Sequence, residues 1–213
     1  MAPQSRANAA EGVQRRTCAS PLYSLLLLLL LAWPAHAQFL TRPVNLAELT
    51  QRAAIIVQGR VVEAVYEGHP DYPHVRTVRV TLAVERMVRG AQAEFFTFRE
   101  FLPGLQASRG KRGYAAGQRL LLFLPRPSQY GLSSPLGAEQ GRFRILRDAR
   151  GKEMIVNDLG NAGLFRDVPD AVARAGLRLS PAEERVAASA RGAVPLEDLL
   201  SLVERLSQLP SVQ

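Results

Sequence analysis

The amino-acid sequence predicts a mainly β protein: a small barrel of five or six strands, with a short N-terminal helix and two C-terminal helices. Two observations support this fold class. Between residues 54 and 157, short runs of β-branched and aromatic residues alternate with turns rich in Gly and Pro, as in barrels and sandwiches. After residue 180, the apolar residues recur at the spacing of a helix instead.

A short helix and a long strand come first. Asn45 and Glu48 have the spacing of a capping box, so a helix is expected to begin after Asn45. Residues 54–66 are rich in β-branched side chains, and Gly59 in their middle predicts a bulge or bend. Residues 69–73 have the composition of a turn.

Alternation and apolarity define the later strands. The predicted strands cover residues 75–88, 94–101, 119–124, 141–146 and 153–156. The first of these alternates, with Val78, Val80, Leu82 and Val84 on one face. Residues 119–124 are nearly all apolar, which predicts burial on both faces. The last two strands are expected to pair as a hairpin.

Two helices are predicted near the C-terminus. Ser180 and Glu183 form a capping box, with Pro181 at the first helical position. A second helix begins at Pro195, and its apolar residues form one stripe: Leu196, Leu199, Leu200, Val203 and Leu206. We expect this stripe to pack on the barrel or on a neighbouring helix. Docking to a partner or to a membrane surface is the alternative, although the Lys/Arg-rich face of a membrane-binding helix is missing.

The N-terminal segment has the three parts of a secretory signal peptide. Arg6, Arg15 and Arg16 supply positive charge, and residues 22–33 supply an apolar core. An A-x-A site then predicts cleavage between Ala37 and Gln38. The apolar core has about 12 residues, whereas a helix that spans a bilayer needs about 20. We therefore expect a periplasmic or secreted protein with no transmembrane segment after cleavage. The predicted parts are a signal peptide (1–37), a β-barrel (38–160) and a helical extension (161–213).

Composition narrows the possible partners and cofactors. The chain has a formal net charge of +8, but Lys111 and Lys152 are its only lysines. A positive charge that comes almost entirely from arginine is weak evidence for nucleic-acid binding, and the export signal makes such binding less expected. We therefore expect the partner to be an envelope or extracellular protein, or an anionic ligand. The single cysteine, Cys18, lies in the signal peptide, so the exported part offers no disulfide and no thiolate. No cofactor is predicted.

Three segments resemble netrin-like and tissue-inhibitor-of-metalloproteinase-like domains. Residues 53–61 read AAIIVQGRV, which resembles the A-x-x-I-V-x-G-x-V opening of those domains. Residues 78–90 end in Arg-Gly, like their second strand, and residues 117–124 read GQRLLLFL, like their G-x-x-Y/L-L-L-F-L strand. The resemblance covers about residues 50–157 and implies a barrel of the oligonucleotide/oligosaccharide-binding (OB) type.

The inhibitory mechanism of that family does not carry over to this chain. Those inhibitors chelate the zinc of a protease through a cysteine at the mature N-terminus. Here the expected mature start is Gln38-Phe39, and no cysteine follows. A role as a protease inhibitor or accessory factor therefore rests on family analogy alone.

One short segment contains candidate metal ligands. His69, Asp71 and His74 place two imidazoles and one carboxylate within six residues, and these are ligand types that zinc and copper accept. A solvated hairpin turn without a metal explains the same residues.

A second segment contains candidate ligand-binding residues. Arg109, Lys111, Arg112 and Tyr114 belong to a glycine-rich loop, residues 103–117, whose spacing does not match a phosphate-binding P-loop. These four residues could still contact an anionic ligand, and a solvated loop is the alternative. The aromatic strand that precedes the loop could form a stacking platform or a core; its phenylalanines are Phe95, Phe96, Phe98 and Phe101.

The sequence favours binding over catalysis. It contains no G-x-S-x-G motif, and Ser133 and Ser134 have no evident catalytic partner. We therefore expect a non-enzymatic binding or accessory protein whose ligand the sequence does not name. The alternative is a metal-dependent hydrolase of the cell envelope that uses His69, Asp71 and His74.

Overall fold

The structure, a computed structural model, describes residues 44–102 and 113–209. Its strands are β1 (Ile55–Gly68), β2 (Arg76–Arg89), β3 (Phe95–Phe101), β4 (Arg119–Leu124), β5 (Arg142–Arg147), β6 (Glu153–Asn157) and β7 (Val194–Pro195). Its α-helices are α1 (Leu46–Arg52), α2 (Val168–Arg174), α3 (Pro181–Ala187) and α4 (Leu196–Leu206). The predicted signal peptide, 1–37, and the loop residues Arg109, Lys111 and Arg112 lie outside the described residues.

The seven strands form one antiparallel sheet in the order β3-β2-β1-β4-β5-β6-β7. The mainly β class is therefore confirmed. The expected barrel of five or six strands is not seen, because the ladders leave β3 at one edge of the sheet and β7 at the other. Beyond its ladder with β2, β3 makes one isolated parallel bridge, between Arg99 and Leu132.

Gly59 marks an irregularity in the long first strand. The register between β1 and β2 shifts between Gln58 and Gly59, as the sequence predicts. A Cβ atom at Gly59 would lie 2.6 Å from the carbonyl oxygen of Ala83 on β2. A side chain at this position therefore cannot fit without a shift of the backbone.

Two hydrophobic cores share the sheet, and β4 contributes to both. Leu121 and Phe123 belong to a helix-side core, which includes residues of all four helices of the described chain. The alternate residues of β4, Leu120, Leu122 and Leu124, belong to a strand-side core with β1, β2 and β3. All five side chains are fully buried, so the predicted burial of this strand on both faces is confirmed.

Helices α1 and α3 begin where their capping residues predict. The Asn45 side chain accepts a hydrogen bond from the backbone N–H of Glu48, and Ser180 and Glu183 form a complete capping box. The apolar stripe of α4 is buried in the helix-side core, which confirms the expectation that it packs inside the protein. The sequence analysis missed α2 and the two-residue strand β7. No helix within residues 44–102 and 113–209 is long and apolar enough to span a membrane.

Candidate ligand-binding cleft

A cleft of about 660 Å³ opens between the β1–β2 turn and the loop that follows β4. We call it the tyrosine cleft. Its lining residues are His69, Pro70, Asp71, Tyr72, Arg99, Gln129, Tyr130 and Gly131. The β1–β2 turn supplies the first four, β3 supplies Arg99, and the loop after β4 supplies the rest.

The β1–β2 turn is closed by its own backbone. The N–H of His69 donates to the carbonyl of Val75 at 2.8 Å, and the N–H of Val75 donates to the carbonyl of Tyr72 at 2.8 Å. Gly68 lets the chain close this tightly, since a Cβ atom there would lie 2.4 Å from the Pro73 carbonyl oxygen. The turn thus holds Tyr72 in a defined position at the cleft.

The opposite wall is a loop organised by Ser128. Its hydroxyl oxygen accepts hydrogen bonds from the backbone N–H groups of Tyr130 (3.3 Å) and Leu132 (3.2 Å). The backbone N–H of Ser128 donates to the Leu132 carbonyl at 2.8 Å. The next residue, Ser133, is buried and donates its hydroxyl to the Pro125 carbonyl at 3.1 Å, so this serine has a structural role.

His69 joins the two walls. Its ring is buried, and Nε2 lies 2.8 Å from the carbonyl oxygen of Tyr130. The backbone N–H of Asp71 donates to Nδ1 at 3.2 Å, so Nδ1 carries no proton and Nε2–H donates to Tyr130. Both ring nitrogens of a neutral imidazole are therefore occupied by hydrogen bonds.

This geometry gives no support to the predicted metal site at His69, Asp71 and His74. Metal binding through His69 would have to break one of its two hydrogen bonds, because a metal needs a nitrogen lone pair. Asp71 and His74 are exposed residues of the same turn. Within the described ranges, no group of three His, Cys, Asp or Glu side chains could hold a metal ion.

Two exposed tyrosines provide the apolar surface of the cleft. The rings of Tyr72 and Tyr130 lie 5.5 Å apart in an edge-on arrangement with an interplanar angle of 85°. Tyr72 is 42% exposed and Tyr130 is 48% exposed. Exposed aromatic rings held on ordered backbone offer a flat apolar face together with a hydroxyl group.

Arg99 lies in the cleft with its charge already balanced. Its Nη1 donates to Glu67 Oε1 at 2.7 Å and to Thr77 Oγ1 at 3.0 Å. The hydrogen bond from Arg99 lowers the pKa of Glu67 despite some desolvation, and Arg79 lowers it further. Because Glu67 is ionised, the Arg99–Glu67 pair is neutral, and the cleft has little excess positive charge to attract an anion.

Tyr114 lies in the strand-side core rather than on a surface that a ligand can reach. Only 7% of the residue is exposed. Its hydroxyl donates to Glu100 Oε2 at 2.6 Å, and the Arg142 guanidinium lies 5.2 Å from its ring centre. Burial and the neighbouring Glu100 carboxylate raise the pKa of Tyr114, so the phenol stays protonated. The prediction of Tyr114 as a ligand contact is therefore not supported.

The phenylalanines of β3 divide between the two faces of the strand. Phe98 is buried in the strand-side core, and Phe96 stacks against it with ring centres 6.1 Å apart. Phe95 and Phe101 are exposed. The four rings therefore do not form one continuous stacking platform.

Sequence reasoning missed the main residues of the cleft. Tyr72 lies in a segment that the sequence predicts as a turn and as a candidate metal site, and Tyr130 lies 58 positions further along the chain. One local signal could have identified Tyr72: it is an aromatic residue beside a proline in a short turn, where a side chain is expected to be exposed. No local signal pairs Tyr72 with Tyr130, because the pairing depends on the hydrogen bond that His69 makes across the cleft.

No protein-family model matches the chain, and neither the curated proteins nor the solved structures searched give a significant match.

Proposed function

We propose that this chain is an exported, non-enzymatic binding protein whose tyrosine cleft takes a neutral, polar ligand, namely a saccharide chain. The observation that supports this most directly is the pair of exposed tyrosine rings beside an arginine whose charge is neutralised by Glu67. Export is inferred from the signal-peptide pattern that ends at Ala37.

The chemistry of the lining residues suits a sugar. A pyranose ring has an apolar face of C–H groups that stacks on aromatic rings, and an edge of hydroxyl groups that both donate and accept hydrogen bonds. Tyr72 and Tyr130 supply the aromatic surface, while Asp71, Arg99 and Gln129 supply donors and acceptors. The volume of about 660 Å³ falls in the usual range for small-molecule sites.

The cleft is also organised before any ligand arrives. Each wall is closed by its own backbone hydrogen bonds, and His69 links the walls. A site that needs little ordering on binding loses less conformational entropy, which favours affinity. The two tyrosine side chains are therefore presented on a framework that does not have to form around the ligand.

The position of the cleft supports an OB-type ancestry for the sheet. OB barrels bind oligonucleotides and oligosaccharides with strands 2 and 3 and with the loops that follow strands 1 and 4. Here the corresponding loops form the two walls, and β3 contributes Arg99. We infer that the sheet is an opened variant of such a barrel, related to netrin-like domains. The Arg99–Leu132 bridge lies where a closed barrel would join β3 to the segment after β4.

A binding role fits the cleft better than hydrolysis. Its lining within the described residues includes one carboxylate, that of Asp71, whereas most glycoside hydrolases use two. The nearby Glu67 carboxylate is held by Arg99 and Arg79. The Ser133 hydroxyl donates to a backbone carbonyl and has no neighbouring base within hydrogen-bond distance in the described chain.

Saccharide binding can be tested by titrating the protein, expressed from the full chain, with soluble chitin and cellulose oligosaccharides by calorimetry. We expect Tyr72→Ala and Tyr130→Ala each to weaken binding about tenfold, as the loss of one stacking contact implies. Phe95→Ala is the control, since this exposed aromatic residue lies outside the cleft. Absence of binding to every saccharide, or equal affinity of wild type and both tyrosine variants, would contradict the proposal.

A further inference from the structure

A second cavity, of about 520 Å³, lies on the sheet where β4 begins, flanked by the middle of β1 and the second half of β5. We call it the arginine groove. Its lining residues are Arg60, Gly117, Gln118, Arg119, Arg144, Ile145, Leu146 and Arg147. Half of them are arginines, and they come from three different strands, so the sheet itself brings these charges together.

Strand register accounts for the crowding of charge. Arg60 lies directly opposite Arg119 in the β1–β4 ladder. Like charges at facing positions destabilise a sheet, so this pair requires compensation. Glu85 on β2 provides it: both carboxylate oxygens accept hydrogen bonds from Arg119, at 2.6–2.9 Å, and Arg60 lies 3.6 Å away.

Arg119 is thereby fixed in the groove. Besides Glu85, its guanidinium donates to both carboxylate oxygens of Glu153 on β6. Hydrogen bonds from Arg119 lower the pKa values of Glu85 and Glu153, although desolvation opposes this, and the same bonds raise the pKa of Arg119. Both carboxylates are ionised, and each accepts at least two hydrogen bonds from Arg119.

The other three arginines keep most of their donors available within the described chain. Arg60 donates one long bond, 3.3 Å, to the Gly117 carbonyl, and Arg147 lies 3.5 Å from Glu153. Arg144 approaches Asp158 through Nε alone, at 3.1 Å, and that nitrogen is buried without a well-aligned acceptor. Each guanidinium has five N–H donors, so many of these face the groove or solvent.

The charges near the groove do not cancel. Asp158 is shared with Arg142, which lies 2.8 Å from it. Among the described residues, the four arginines of the groove pair with three carboxylates, those of Glu85, Glu153 and Asp158, and Arg142 takes up part of the charge of Asp158. A positive excess remains at the groove, in contrast to the neutral Arg99–Glu67 pair of the tyrosine cleft.

We propose that the arginine groove binds phosphate, either as a free phosphate compound or as the headgroup of an anionic lipid. Guanidinium groups match phosphate oxygens through paired N–H donors and stay charged at all relevant pH values. Three available guanidiniums suit the three or four oxygens of a phosphate better than the two of a carboxylate. This site is separate from the tyrosine cleft and does not depend on the function proposed for it.

Titration with inorganic pyrophosphate, followed by calorimetry at low salt, tests the groove. We expect Arg60→Gln, Arg144→Gln and Arg147→Gln each to weaken binding about fivefold, and added salt to weaken it further. Arg86→Gln is the matched control, because Arg86 pairs with Glu197 outside the groove. Arg119 is left unchanged, since it supports the sheet, and thermal melting checks that each variant folds.

Vesicles distinguish the two sources of phosphate. If the ligand is a lipid headgroup, the protein sediments with phosphatidylglycerol vesicles but not with phosphatidylcholine vesicles, and the groove variants lose this binding. If it is a free compound, pyrophosphate binds and neither vesicle does. No binding of any of these probes, tighter binding of citrate than of pyrophosphate, or an equal loss in Arg86→Gln would overturn the proposal. Tyr72→Ala should leave phosphate binding unchanged, which separates this outcome from failure of the saccharide proposal.

Discussion

The imidazole of His69 donates a hydrogen bond of 2.8 Å to the backbone carbonyl of Tyr130, 61 positions further along the chain. The same ring accepts a hydrogen bond from the Asp71 N–H. One buried side chain thus fixes the β1–β2 turn and joins it to the loop after β4. The width of the tyrosine cleft depends on this contact.

His69→Ala should therefore affect both stability and binding. The substitution removes two hydrogen bonds and leaves the Tyr130 carbonyl without its donor, so we expect the free energy of unfolding to fall by about 2 kcal/mol. Saccharide affinity should fall as well, because the cleft walls are no longer joined. Urea denaturation measures the first effect, and calorimetry with the saccharide measures the second.

The chain supplies its own control for this substitution. His74 lies in the same turn and is exposed, so His74→Ala should change stability by less than about 0.5 kcal/mol. Equal losses in the two histidine variants would show that His69 has no special role. If a chelator lowered the free energy of unfolding and added metal restored it, this result would instead favour the metal site predicted from sequence.

Gly59→Ala should destabilise the sheet. The new methyl group would lie 2.6 Å from the Ala83 carbonyl oxygen, and relief requires β1 and β2 to move apart. Such overpacking typically costs about 1–3 kcal/mol, measurable by urea denaturation. Val62→Ala is a control in the same strand, since the Val62 side chain is exposed; its effect should be about 0.5 kcal/mol. A Gly59→Ala variant as stable as wild type would mean that the strands adjust at no cost.

Local patterns were enough to predict most of the strands and three of the four described α-helices. The five apolar residues from 120 to 124 fit β4 because this part of the strand is buried on both faces. Ser180 and Glu183 identified a helix start because a capping box satisfies backbone N–H groups by itself. Such signals act within a few residues and need no knowledge of the fold.

The remaining features depend on contacts that are distant in sequence. Strand β7 has two residues, and its pairing with β6 gives no period to detect. Helix α2 begins after Asp167, which has a left-handed backbone and no side-chain cap bond, so the usual start signal is missing. Tyr114 is polar and near glycines in the sequence, yet it is buried, because Glu100 and Arg142 give it polar partners inside the protein. The tyrosine cleft likewise depends on a bond between separate loops.

Glu100→Gln should remove part of the pH dependence of stability. Burial raises the pKa of Glu100, and the hydrogen bond from Tyr114 and the charge of Arg142 only partly oppose this. Between the ordinary pKa of Glu and the raised value, the native state binds more protons than the unfolded state. The free energy of unfolding therefore falls as pH rises through that window.

Glutamine is neutral throughout and still accepts the Tyr114 hydrogen bond. We thus expect the free energy of unfolding of Glu100→Gln to increase relative to wild type as pH rises. Urea denaturation from pH 4 to pH 8 measures this difference. Glu94→Gln, an exposed position just before the same strand, is the control. A constant difference between Glu100→Gln and wild type over this range would contradict the raised pKa.

Glu183 should contribute to stability with the opposite pH dependence. Its buried carboxylate accepts hydrogen bonds from the Ser180 N–H and from the Ser201 hydroxyl, both at 2.7 Å, and so connects α3 to α4. Burial acts to raise the pKa of Glu183, but the bonds from Ser201 and Ser180 and the charge of Arg205 outweigh it, so the pKa is lowered. At pH values between the lowered pKa of Glu183 and the ordinary pKa of Glu, the native state then binds fewer protons than the unfolded state. The stabilisation is present above the ordinary pKa of Glu and is lost as pH falls through this window.

Glu183→Gln should therefore lower the free energy of unfolding by about 1–2 kcal/mol at pH 7. The deficit should shrink as the solution is acidified, because wild type loses the charged form of the carboxylate there. Ser201→Ala should cost about 1 kcal/mol at pH 7, through loss of one hydrogen bond to the carboxylate. Glu184→Gln is the matched control, since Glu184 is the next residue of the same helix and is exposed. If the deficit of Glu183→Gln were the same at pH 3 and pH 7, its cause would be packing rather than charge, and the connection between α3 and α4 would not depend on an ionised carboxylate.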